Sequence, residues 1–79
     1  MGAPRDVRHR IALFLDVPTA QLGDETRLSD VIAESFLVVQ LVIELQETLG
    51  IRITAEDLRG VVTVGDLVDV FEAAPEVRG

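Results

Sequence analysis

Cysteine, tryptophan, tyrosine and lysine are all missing from this 79-residue sequence, and histidine and methionine occur once each. Without cysteine there is neither a disulfide framework nor a cysteine metal site, so any thiol chemistry must come from something attached to the chain. The usual nucleophile and base pairs of covalent catalysis cannot be assembled from this inventory. A dyad of Ser35 with His9 has no support in the sequence, and no catalytic residue and no metal ligand is assigned. His9 reads as a solvated histidine on a helix surface, because no second histidine or cysteine exists to share a metal. The glycine-rich phosphate loops "GxGxxG" and "GxxxxGK[ST]" and the EF-hand spacing are absent as well. No run approaches the roughly 18 apolar residues of a membrane span, and "MGAPRDVRHR" lacks the apolar segment of a signal peptide. A cytoplasmic protein with no membrane span is the expectation.

Seven basic residues, all arginine, stand against fourteen acidic ones, for a net charge of −7. That balance argues against a nucleic-acid backbone as partner and favours partners with basic docking surfaces. Arg5, Arg8 and Arg10 against Asp6 leave residues 1 to 10 basic, so the remainder is more acidic than the whole. The length fits one domain, residues 1–79, with a single modest core. Only three phenylalanines are available, so that core is aliphatic.

In "DVRHRIALFLDV" the apolar Val7, Ile11, Phe14 and Leu15 lay one stripe along a helix, predicted from about Arg5 to Asp16 and ended before Pro18. From Val17 to Glu34 the period is lost. A loop of that length is unusual in a compact domain and tends to be functional, and its Leu22, Leu28, Val31 and Ile32 are expected to pin it onto the helices. A second helix follows from about Ser35 to Leu49, with Gly50 as terminator. Val38, Leu41, Val42, Leu45 and Leu49 share one of its faces, and burial of each is worth roughly 1.5–3 kcal/mol. Ile51 and Ile53 serve as pegs between helices. "TAEDL" predicts a short third helix, Ala55 to Arg59, opened by a capping box of Thr54 and Asp57. Thr63 and Asp66 repeat the device before a fourth helix with the stripe Val64, Leu67, Val68 and Phe71, ending near Pro75. The fold class is all-α: a four-helix bundle of three longer helices and one short one, with a long loop between the first and second. The acidic pairs Asp24/Glu25 and Glu56/Asp57 read as solvation and helix-dipole complement.

Ser35, at the mouth of the second helix, would in an arbitrary sequence be read as a cap for free backbone N–H groups. Its surroundings say more. The run "LSDVIAESFLVVQLVIELQETLGIRITAEDLRGVVTVGDLVDVFE", Leu28 to Glu72, resembles the acyl carrier proteins of fatty-acid and polyketide synthesis. Their attachment motif, an acid, a serine and a bulky apolar residue, is matched by Glu34, Ser35 and Phe36. "DETRLSD" upstream and "LQETLGIRI" and "TVGDLVD" downstream are similar to the family's loop, helix exit and last helix.

The resemblance implies that Ser35 accepts 4′-phosphopantetheine from coenzyme A through a separate phosphopantetheinyl transferase. The arm's thiol would then carry acyl groups as thioesters, which would account for a chain without cysteine. It implies a monomeric carrier rather than an enzyme, with an acyl-loading ligase or acyltransferase and synthase or condensing enzymes as partners. Met1 and the short tail lead to the expectation of a free-standing carrier in a specialised bacterial polyketide, lipopeptide or fatty-acid-type pathway. Val42, Leu58, Val61 and Val62 are candidates to line a pocket for a folded-back acyl chain.

Two departures stand out. The family commonly has glycine three residues before the serine, where this chain has Ile32, whose β-branch narrows the allowed backbone. The exposed side of the second helix offers Phe36, Leu37, Gln40, Ile43 and Glu47, with Glu34 at its head, where acidic carriers display carboxylates. Docking centred on Phe36, Leu37 and Ile43 should therefore depend only weakly on salt. That apolar face is similar to peptidyl carriers, which hold aminoacyl groups on the same arm, although "IAES" lacks the paired glycines usual there. A small helical interaction module with no prosthetic group, in which Ser35 is only a cap, is the third reading.

Overall fold

The computed structural model describes residues 6–75, so Arg5, the predicted start of the first helix, lies outside the described residues. The first helix, α1 (Val7–Leu15), buries Val7, Ile11 and Ala12, with Phe14 and Leu15 half-buried against the same core. Asp16 ends it in the left-handed conformation, φ 59°, and donates its N–H to Ala12 O and Leu13 O. Aspartate tolerates this region better than most residues, and Pro18 prevents the helix from continuing.

The long connection that follows is more ordered than its broken periodicity predicts. It holds a 3₁₀ turn, Thr19–Gln21, and a single helical turn, α2 (Leu28–Val31). Leu22, Leu28 and Ile32 are buried and Val31 is half-buried, so the loop's apolar residues do pin it to the core. Arg27 pairs antiparallel with Thr63. Around that pair Leu28 N–H donates to Val62 O at 2.9 Å and Val64 N–H to Thr26 O at 2.7 Å. Arg8 of α1 forms an ion pair with Asp24 in the same loop.

Next comes α3 (Ser35–Leu49), the longest helix, with the predicted boundaries. Leu41, Val42 and Leu45 are buried along it, while Val38 and Leu49 are half-buried. Gly50 closes it at φ 66°, the left-handed position at which glycine carries no Cβ penalty. Ile51 and Ile53 are buried pegs as expected. They are held by Gln46, whose side-chain oxygen accepts the Ile53 N–H at 2.7 Å.

The segment predicted as a third helix, Ala55 to Arg59, is instead a succession of turns through residue 60. The expected reciprocal bonds form: Asp57 N–H donates to Thr54 Oγ1 at 3.2 Å and Thr54 N–H to Asp57 Oδ2 at 3.0 Å. Beyond them the backbone bonds run over three residues, Leu58 N–H to Ala55 O and Arg59 N–H to Glu56 O. Gly60, at φ 79°, then turns the chain away. With only Leu58 to bury, the segment does not offset the cost of nucleating a helix. The last helix, α4 (Val64–Ala73), has the full Thr63–Asp66 capping box and buries Val64, Leu67 and Phe71.

The architecture is an all-α bundle. Four α-helices and no strand occur among the described residues, α1 packs on both α3 and α4, and the short helix is α2 rather than the segment after α3. No helix among the described residues is long and apolar enough to cross a membrane.

Candidate functional site

Ser35 is the first residue of α3, not its cap. The cap position belongs to Glu34, which is extended at φ −121°, ψ 133° and makes no side-chain bond to the helix. Ser35 is exposed, and its hydroxyl takes part in no hydrogen bond among the described residues. No hydrogen bond joins it to His9, which is exposed on α1. The site thus offers a free primary hydroxyl without a base of its own. Any chemistry at Ser35 needs a base from elsewhere.

The surroundings suit an anion on that oxygen. Residues in the first turn of α3 include no acid, and the free N–H groups and dipole of a helix start favour a phosphodiester by about 0.3–1 kcal/mol when exposed. Glu34 and Asp30, both exposed, oppose it. A phosphate on Ser35 would therefore be accommodated but left in solvent. Just upstream, Ile32 occupies the place of the expected glycine without strain. It lies in extended backbone, φ −124°, ψ 110°, with its side chain in the core.

The proposed docking residues divide. Phe36 and Ile43 are 54% and 49% exposed on the face of α3 opposite the core, and Gln40 and Glu47 lie along the same side. Leu37 does not belong with them: it is half-buried and packs against the core. The residue that replaces it is Val39, 58% exposed, which sequence reading passed over. Val39 stands three residues after Phe36 and four before Ile43, so helical spacing alone puts all three on one stripe.

The candidate acyl-pocket residues differ in exposure. Val42 is in the core, Leu58 and Val61 are half-buried against it, and Val62 is exposed. A groove of about 630 Å³ lies beside the second half of α3, between Ile43, Gln46 and Glu47 and the segment Gly50 to Thr54. Two smaller grooves, one between α1 and α3 and one at the end of α4, are also lined by other residues.

The sequence pattern of the phosphopantetheine attachment site matches residues 5–71. The chain is 37% identical over 73 residues to the acyl carrier protein of Helicobacter pylori (strain G27), a match that covers 91% of this chain and 94% of that protein. It is 33% identical over 67 residues to the acyl carrier protein of Thermotoga maritima, covering 84% and 83% of the two chains. Over 67 residues it is 30% identical to acyl carrier protein 2, chloroplastic, of Spinacia oleracea, covering 85% of this chain and 49% of that protein.

Proposed function

Since the chain belongs to the acyl carrier proteins, a family defined by the phosphopantetheine attachment site, we propose that Ser35 is the residue to which its 4′-phosphopantetheine is joined. The observation that carries this reading is the exposed, unbonded hydroxyl of Ser35 on the first residue of α3, inside the matched span. When bound, the group supplies the thiol on which acyl units ride as thioesters. The protein is a carrier, not an enzyme, and its partners are in general the transferase that loads the arm and the synthases that use it.

Each neighbouring residue has a part. Ser35 would supply the oxygen that bonds to the phosphorus of the pantetheine arm as the pyrophosphate bond of coenzyme A breaks and adenosine 3′,5′-bisphosphate leaves, and the base that takes the serine proton would come from the transferase. The free N–H groups at the start of α3 would favour the negative charge placed there. Phe36, Val39 and Ile43 present an apolar strip to the enzymes that meet the carrier, flanked by Gln40, Glu47 and Glu34. The pathway we propose is a bacterial one of polyketide, lipopeptide or fatty-acid type, in the cytoplasm, where coenzyme A is at hand.

The apolar, weakly charged strip also favours a second reading, a peptidyl carrier that holds aminoacyl groups. Two experiments test these proposals. Peptide mapping after treatment with coenzyme A and a broad-specificity transferase should locate the added mass on Ser35, and any other residue would refute the assignment. Loading by amino acids through an adenylating ligase, with no loading by malonyl or fatty acyl units, would favour the peptidyl reading.

A further inference from the structure

We propose that Ile32 is a positioning residue for the modification of Ser35. It fixes the short link before α3 so that the serine is presented to the transferase in one preformed conformation. This rests on the reading of Ser35 as the attachment residue.

Ile32 is anchored twice. Its side chain is 5% exposed and belongs to the core cluster, and its N–H donates to Leu28 O at 2.8 Å. Leu28 is itself buried and donates its own N–H to Val62 O at 2.9 Å. The Val62 N–H in turn donates to Asp66 Oδ2 at 3.0 Å, inside the capping box of α4. A continuous hydrogen-bonded path, through the Asp66 side chain and the backbone of Val62 and Leu28, therefore runs from the start of α4 to a residue three positions before Ser35. Only Ala33 and Glu34 separate that anchor from the serine, and Glu34 is also tied by its carbonyl, which accepts the Leu37 N–H at 3.0 Å. On the far side, half-buried Leu37 and Val38 and buried Leu41 seat the first turns of α3.

Ile32 and Glu34 are both in extended backbone, so the link asks nothing of its residues that only glycine can give. A β-branched residue there restricts the alternatives, and a link already ordered loses less freedom on binding. Glycine at this place would remove the peg and the backbone restriction together.

The test compares wild type, Ile32→Val, Ile32→Ala and Ile32→Gly, with Ile11→Ala as a control weakened in the core away from the link. All are treated with coenzyme A and a broad-specificity phosphopantetheinyl transferase at a temperature where each is folded by circular dichroism. KM for the carrier should rise roughly fivefold in Ile32→Gly, the cost of re-ordering about one backbone residue, with kcat unchanged. Ile32→Val should restore the wild-type KM, and Ile11→Ala should leave it unmoved. Hydrogen exchange at residues 33–37 should quicken in Ile32→Gly but not in Ile11→Ala. If the glycine variant does not fold, Ile32→Ala carries the same two readouts. Wild-type KM or wild-type exchange in folded Ile32→Gly, or in Ile32→Ala where the glycine variant does not fold, overturns the proposal, as does an equal rise of KM in Ile11→Ala. A wild-type chain that is not modified at Ser35 instead refutes the attachment reading on which it rests.

Discussion

Gly65 lies against the backbone of Asp24: its N–H donates to Asp24 O at 3.1 Å, and a Cβ placed on it would meet that oxygen at 2.7 Å. The glycine of "TVGD" is thus a packing residue that lets the long loop touch the first turn of α4. Gly65→Ala gains helix propensity of about 1 kcal/mol but forces backbone apart, an overpacking cost of typically 1–3 kcal/mol. Urea denaturation should show a net loss of stability. A variant as stable as wild type would mean that the loop moves aside freely.

A second prediction concerns acid. The N–H groups of Val62 and Thr63 hold the Asp66 carboxyl below the ordinary aspartate range; burial opposes them, and the Thr63 side chain adds a smaller lowering effect. A pKa lower in the folded than in the unfolded chain means that Asp66 stabilises the fold fully above the unfolded value. That contribution is lost as pH falls through the depressed folded value. Asp66→Asn should accordingly flatten the fall in stability over this acid window, read by thermal melts against pH. An unchanged slope would remove Asp66 from the acid response.

Gln46 supplies a third. Its side chain is the acceptor for the N–H of buried Ile53, and Gln46→Leu leaves that donor unsatisfied at a cost of about 1–3 kcal/mol. Faster hydrogen exchange at residues 51–54 and a lower denaturation midpoint should appear together. Neither would appear if solvent satisfies the N–H instead.

These residues also mark what could be read without the structure. The limits of α3, the left-handed Gly50, the Thr63–Asp66 box and the buried stripe of α4 follow from local spacing and end signals, which carry their own physical meaning. The single turn α2 was not legible, because its Leu28 is buried through the pairing of Arg27 with Thr63, a contact made between distant segments. The Thr54–Asp57 bonds were legible, but not that the chain after them is too poor in apolar residues to become a helix. At the candidate site, Ser35 and its motif stood out as residues, whereas its place as first residue rather than cap depended on backbone angles. The exchange of Leu37 for Val39 on the exposed strip was within reach of helical spacing and shows where that spacing should be counted in full.

The strip leads to a fourth prediction. Phe36→Ala and Ile43→Ala should weaken binding to a cognate enzyme without unfolding the carrier, since both side chains are about half exposed. Contacts of this kind gain from buried apolar area and change little with salt, whereas ion pairs are screened. Titrations at low and high ionic strength should therefore give similar affinities. A steep loss of affinity with salt would assign recognition to the carboxylates instead.

The most direct measurement is the intact mass of the chain after incubation with coenzyme A and a broad-specificity phosphopantetheinyl transferase. The wild type should gain the mass of one phosphopantetheine, and Ser35→Ala should gain none. An unchanged wild-type mass, or the same gain in Ser35→Ala, would contradict the assignment of Ser35 as the attachment residue.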